Sequence, residues 1–141
     1  TKDASFHQHY GSQNVVRNNV FAFGSAAVEI TRYELHDTIL FEKNIFFTNG
    51  APIYFQHLRS KGVNSINSAQ NIIWDISGNV QMLKDVPFEK WQATSGKDQG
   101  SIIADPLFEN AGEYDFRLKP DSPAIALGFK PLSGFLASGK E

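Results

Sequence analysis

An asparagine that returns at a nearly fixed interval constrains this chain more than any other feature. Asn19, Asn44 and Asn71 stand 25 and 27 positions apart, and each is followed by two large apolar residues: Val20-Phe21, Ile45-Phe46 and Ile72-Ile73. The segments before them correspond as well: Asn14-Val15-Val16-Arg17, Ile39-Leu40-Phe41-Glu42 and Ile66-Asn67-Ser68-Ala69. Nine positions past each Asn come Val28, Ile53 and Val80, and eleven past come Ile30, Phe55 and Met82. Glu29, Tyr54 and Gln81 lie between them. Such alternation belongs to strands with one buried face. It predicts that Ile30, Phe55 and Met82 stack inside and that Tyr54 points out.

Three short strands and three turns in each 25 to 27 residues make one coil of a right-handed parallel β-helix. The expected fold is all-β, about three such coils with a C-terminal capping tail. An antiparallel sandwich also has short strands, but it does not keep columns aligned over three copies. Leucine-rich repeats have a similar period, yet their L-x-x-L-x-L spacing is missing. Successive coils lie about 4.7–4.9 Å apart. Asn19, Asn44 and Asn71 are therefore expected to form a ladder at one corner. The alternative is that each Asn merely tolerates a left-handed turn. In the same frame Arg17 faces Glu42, an ion pair worth little if exposed.

After Leu83 the pattern stops. Residues 86–93 carry Phe88, Trp91 and Gln92 at helical spacing, with Pro87 suited to a first turn. Residues 101–104 read as extended up to Asp105-Pro106, and residues 114–118 alternate as a strand. Residues 1–84 are thus expected to form the coils, and residues 85–141 a capping tail with one short helix on the same solenoid. A bare coil end exposes unpaired amides and a cut core. The first coil has no comparable cover in the sequence. A homodimer through that open coil is expected, or else Thr1 to Tyr10 folds over it.

Composition narrows the function classes. Of 141 residues, 41% are hydrophobic and 20% charged, a balance outside that of disordered chains. No apolar run approaches the length needed to span a bilayer, and a net charge of −2 gives no broad footprint for nucleic acid. Neither membrane nor nucleic acid is expected as a partner. Cysteine is absent, which removes disulfides, thiolate zinc sites and cysteine nucleophiles. The chain opens at Thr1 with no signal peptide, so it is expected to be a piece of a longer protein.

Two further segments carry a resemblance. Ser101-Ile102-Ile103-Ala104-Asp105-Pro106-Leu107-Phe108, with Asp115-Phe116-Arg117-Leu118-Lys119-Pro120-Asp121-Ser122-Pro123-Ala124, resembles the C-terminal signature of bacterial right-handed parallel β-helix proteins of the pectate-lyase-like superfamily. Phe6-His7-Gln8-His9-Tyr10-Gly11 and Asn18-Asn19-Val20-Phe21-Ala22-Phe23 resemble a polysaccharide-acting subgroup similar to glycoside hydrolase family 141. The resemblance implies the C-terminal part of a secreted or periplasmic polysaccharide-degrading enzyme, with a polysaccharide or oligosaccharide as partner. The superfamily also holds lyases and non-catalytic binding or structural solenoids, and these remain alternatives. In the subgroup an acidic, Gly-rich stretch lies upstream of these motifs and is absent here. The isolated chain is accordingly expected to show little or no turnover.

Two clusters offer chemistry. His7 and His9 share a strand face at i, i+2, where they can act as general base and substrate contact. Two partly exposed histidines without a role are the alternative. No third ligand follows at metal spacing, so neither a metal nor a cofactor is expected. Arg32, Glu34 and His36 alternate on one face if extended, and a carboxylate held between a cation and an imidazole can move a proton or bind sugar hydroxyls. A solvated turn with a local ion pair explains them equally. Glu34, His36 and His9 are the catalytic candidates, and His7, Tyr10, Arg32 and His57 the substrate-binding ones. A basic column of Arg32, His57 and Lys84 would suit uronates. Glu29, Asp37, Glu42 and Asp75 complete the carboxyl candidates for a glycosidase pair, and no pair stands out by spacing.

Overall fold

At four corresponding places in the repeat the backbone passes through a left-handed residue immediately before an Asn or Ser. These are Asn18-Asn19, Lys43-Asn44, Gln70-Asn71 and Gly100-Ser101, with φ of 58°, 52°, 54° and 73° at the first residue of each pair. Left-handed backbone is uncommon outside glycine, and its recurrence marks one corner built four times. The computed structural model describes residues 4–8, 12–30, 39–55 and 66–129.

Each corner joins two strands. β2 (Asn14–Arg17) leads through it to β3 (Val20–Ala22), β5 (Ile39–Glu42) to β6 (Ile45–Thr48), and β8 (Ile66–Ala69) to β9 (Ile72–Asp75). The fourth leads from Gln99, bridged in parallel to Ala69, to β10 (Ile102–Ile103). The remaining repeat strands are β1 (Phe6–Gln8), β4 (Val28–Ile30) and β7 (Tyr54–Phe55). They assemble into three parallel sheets, ordered β1-β4-β7, β2-β5-β8 and β10-β9-β6-β3. The protein is mostly β, with parallel sheets in which β1 to β6 each pair with the strand three places later, and β9 pairs with β10.

The asparagines stack as expected. The Asn44 side-chain oxygen accepts from the Asn19 backbone N–H at 3.0 Å and from its amide at 3.3 Å. Asn71 does the same for Asn44 at 2.9 and 3.4 Å. Each Nδ2 also reaches back one copy, from Asn44 to the Val16 carbonyl and from Asn71 to that of Phe41. Arg17 and Glu42 pair at 2.6 Å across β2 and β5. The repeat runs further than the sequence pattern suggests. Ile102 stands in register with Ile72, and the Ser101 hydroxyl accepts from the Asn71 N–H where a fourth Asn would have stood.

One cluster of buried side chains draws on all three sheets: Val28, Phe41, Phe46, Tyr54, Ile66 and Ile73 among them. Trp91, from helix α1 (Phe88–Ser95), closes onto it. The helix stops at Gly96, left-handed at φ 69°, a common C-terminal device. A second cluster lies on the opposite face of β6 and β9, where Ile45, Phe47 and Ile72 meet Phe108, Ala124 and Phe129. The segment supplying them folds as an antiparallel pair, β11 (Phe108–Asn110) with β12 (Asp115–Leu118), followed by α2 (Pro123–Ala126). With apolar layers on both faces, β6 is buried at every position, and its sequence is a continuous Ile-Phe-Phe-Thr rather than an alternation.

The third column departs from expectation. Val28 pairs with Tyr54 and Glu29 with Phe55, one residue later than the sequence alignment places them. A one-residue slip exchanges faces: Tyr54 is fully buried and Phe55 is 44% exposed. The reason is chemical. The Tyr54 hydroxyl donates to buried Asp98 at 3.0 Å, so burying it leaves no polar group unmet. Phe55 is therefore not core, whereas Met82 is; Ile30 is placed in β4 by its backbone.

Two stability measurements check this layout. Asn44→Ala should cost about 3 kcal/mol in urea unfolding, because it strands the Asn19 backbone N–H and the Val16 carbonyl and takes one amide donor from the Asn71 side-chain oxygen. Asn19→Ala, at the exposed rung, should cost under about 1 kcal/mol. Tyr54→Ala should cost about 3–5 kcal/mol, and Phe55→Ala under about 1 kcal/mol. Equal losses at Tyr54 and Phe55 would contradict the observed register.

Candidate functional site

The candidates His9, Tyr10, Arg32, Glu34, His36 and His57 lie outside the described residues, as does Asp37. His7 is placed by its backbone in β1, as the register partner of Glu29 in β4. Gln8, two residues before Tyr10, stands opposite Ile30, two before Arg32. Lys84 is exposed in the turn after Met82.

The register continues from Glu29 to Phe55 in β7, so His7, Glu29 and Phe55 occupy one row across three adjacent strands. At that row a half-open pocket of about 170 Å³ is lined by Ala4, Ser25, Ala26, Glu29 and Phe55. Local geometry forms its wall. The Ser5 N–H donates to the Ala26 carbonyl at 3.0 Å, and the Ser5 hydroxyl reaches the Ala22 carbonyl at 3.4 Å. This draws the turn against the chain so closely that a Cβ at Gly24 would lie 2.5 Å from Ser5 Oγ and 2.6 Å from the Ala26 oxygen. Only glycine fits there. The turn then presents Ser25 and Ala26 beside a carboxyl group and an aromatic ring.

The other described carboxyl candidates serve the fold. Glu42 is bound to Arg17. Asp75 is buried and accepts from Thr48 Oγ1 at 2.9 Å, the Gly50 N–H at 2.9 Å, and the Ser77 N–H and hydroxyl at 2.8 and 2.6 Å. Burial pushes its pKa up, but the bonds from Ser77, Thr48 and Gly50 outweigh this and hold it below the ordinary carboxylate value. Its neighbour Trp74 packs into the second cluster. Asp98 has no exposed surface, and its carboxyl accepts from Tyr54, Trp91 Nε1, Asn71 Nδ2 and Ser101. Burial and the nearby Asp98 raise the Tyr54 hydroxyl well above its usual range.

Sequence reasoning counted Glu29 among five carboxyl groups and assigned Phe55 to the core, so it missed their adjacency. No local signal marks it: Ile53 and Tyr54 are buried in succession, and that interrupts the alternation.

No family model matches this chain, and no solved structure does. A 37-residue segment, 26% of the chain, is 49% identical to an uncharacterised protein, YwoF, of Bacillus subtilis (strain 168). The match spans 8% of that protein's length.

Asp75 gives a pH-dependent prediction. Its folded pKa lies below the unfolded value of about 3.9. Its contribution is therefore present above that pH and lost as pH falls through the folded pKa. Asp75→Asn should be less stable than the parent at pH 7, and the gap should shrink steadily below about pH 4. A gap constant from pH 7 to pH 2.5 would show that its charge contributes nothing.

Proposed function

We propose that the three parallel sheets are the walls of a right-handed parallel β-helix, and that the domain engages polysaccharide as part of a glycoside-hydrolase-like protein. Support for the helix comes from the corner that recurs at Asn19, Asn44, Asn71 and Ser101, and from the pairing of β1 to β6 each with its counterpart one copy on. Sequence motifs at both ends resemble the pectate-lyase-like superfamily.

One observation carries the carbohydrate reading: a carboxyl group and a partly exposed aromatic ring, Glu29 and Phe55, share a pocket on adjacent strands. Carboxylates accept hydroxyl hydrogen bonds, and a flat ring supplies a rigid apolar surface. Three described carboxyl groups, Glu42, Asp75 and Asp98, are engaged within the fold, so binding suits this region better than turnover by those three.

A panel of soluble plant and microbial polysaccharides tests this. The full chain should bind at least one with a Kd between about 1 µM and 1 mM, without releasing reducing sugar. Failure to bind any member would remove the carbohydrate reading, and rapid sugar release would place catalytic carboxyls in this chain.

A further inference from the structure

We infer that the outer edge of β1, β2 and β3 is a docking surface for one more parallel copy of the repeat, which brings hydrogen-bond donors to the Asn19 corner, and that the occupant is the chain segment running into β1 rather than a second molecule. This rests on the coil reading of the sheets and is independent of the carbohydrate reading. The three strands stand at the ends of their sheets, on the same side of the repeat.

Chemistry at the corner decides what fits. Asn44 and Asn71 each take two donors on the side-chain oxygen. Each also sends Nδ2 back to a carbonyl of the copy before, Val16 at 2.8 Å and Phe41 at 3.1 Å. Asn19 does neither. It is exposed, its Nδ2 turns to the Arg17 carbonyl of its own copy at 2.9 Å, and its side-chain oxygen accepts from no described residue. Beside it, Asn18 Oδ1 is buried without a partner. Unmet acceptors call for donors. The apolar rows agree: Val16, Val20 and Phe21 are half-buried, whereas their register partners Phe41, Ile45 and Phe46 are buried.

A second copy does not meet this demand. Two-fold pairing of the edge sets acceptor against acceptor. Head-to-tail stacking presents the Ser101 corner, whose N–H is already given to the Asp98 carbonyl at 3.1 Å and whose hydroxyl is given to its carboxylate. A preceding copy has neither fault, and its last strand is in place. β1 pairs with β4 as β4 pairs with β7, and Phe6 stands opposite Val28. Val28 follows Asn19 by nine positions. The corner of the preceding copy therefore falls nine residues ahead of Phe6, which is the fourth residue ahead of Thr1.

A graft tests the assignment. A copy of residues 39–47 joined directly ahead of Thr1 puts its Asn at that position and its Glu in the column of Arg17. In the full chain so extended, the amides of β2 and β3 should exchange about tenfold more slowly than in the parent, and the urea midpoint should rise. The same graft with Asn44→Ala in its copy, or with one Gly inserted before Thr1 to shift the register, should slow exchange less than about twofold. By light scattering the parent should remain a monomer at about 100 µM. No slowing by the first graft, or equal slowing by all three, overturns the docking surface. A parent dimer whose formation protects β2 and β3 overturns it as well, by making a second copy the occupant. Slow exchange at Asn44 and Asn71 in the parent confines such a failure to this edge, whereas fast exchange there brings down the coil reading too.

Discussion

The structure depends on a run of hydrogen bonds with one direction. The side-chain oxygens of Asn44 and Asn71 each accept from the backbone and amide of the rung before, so every rung needs an acceptor from the next. The run must end on a group that accepts without having to donate. Ser101 takes the Asn71 N–H and passes its own hydrogen to Asp98 at 2.9 Å. A carboxyl group suits that terminus because both oxygens can accept. Tyr54 and Trp91 also donate to Asp98, so the same residue ties the end of the ladder to the core and to α1. Left-handed residues ahead of each rung are the local cost of the corner, and the stacked amides offset it.

This arrangement explains why the C-terminal segment has two jobs. Residues 88–98 close the end of the first cluster through Trp91 and Asp98. Residues 108–129 lie along the outside of β6 and β9, where Phe108 meets Phe47 at a ring separation of 5.2 Å and Phe116 at 5.1 Å. The sheet of β3, β6, β9 and β10 is thereby covered on both faces, whereas the sheet of β1, β4 and β7 carries the pocket.

Much of the fold was legible in the sequence because the ladder has a strict chemical requirement. An amide at each corner both donates and accepts, so Asn19, Asn44 and Asn71 could be read from their spacing, and Arg17 opposite Glu42 followed from the same register. The fourth corner was hidden, since a Gly100-Ser101 pair performs the work of left-handed residue and acceptor with different side chains. The third column reads differently in the sequence because Ile53 and Tyr54 are both buried in succession, which breaks period-2 alternation. The buried acceptor that makes Tyr54 an inside residue is 44 positions away, and no local pattern reveals it. The pocket was invisible for the same reason: it exists only once Phe55 faces outward beside Glu29.

Corner residues in irregular backbone ordinarily exchange their amide hydrogens quickly, because local opening exposes them. Here the backbone N–H groups of Asn44 and Asn71 are buried and bonded to the next rung. Native-state hydrogen exchange at these amides is therefore the most direct test of the ladder as the element that holds the sheets in register. Asn44 and Asn71 should exchange only through global unfolding, with the same free energy and denaturant dependence as Ile45 and Ile72, and Asn19 should exchange faster. Exchange at Asn44 and Asn71 as fast as at an exposed turn such as Asn79 would contradict the account.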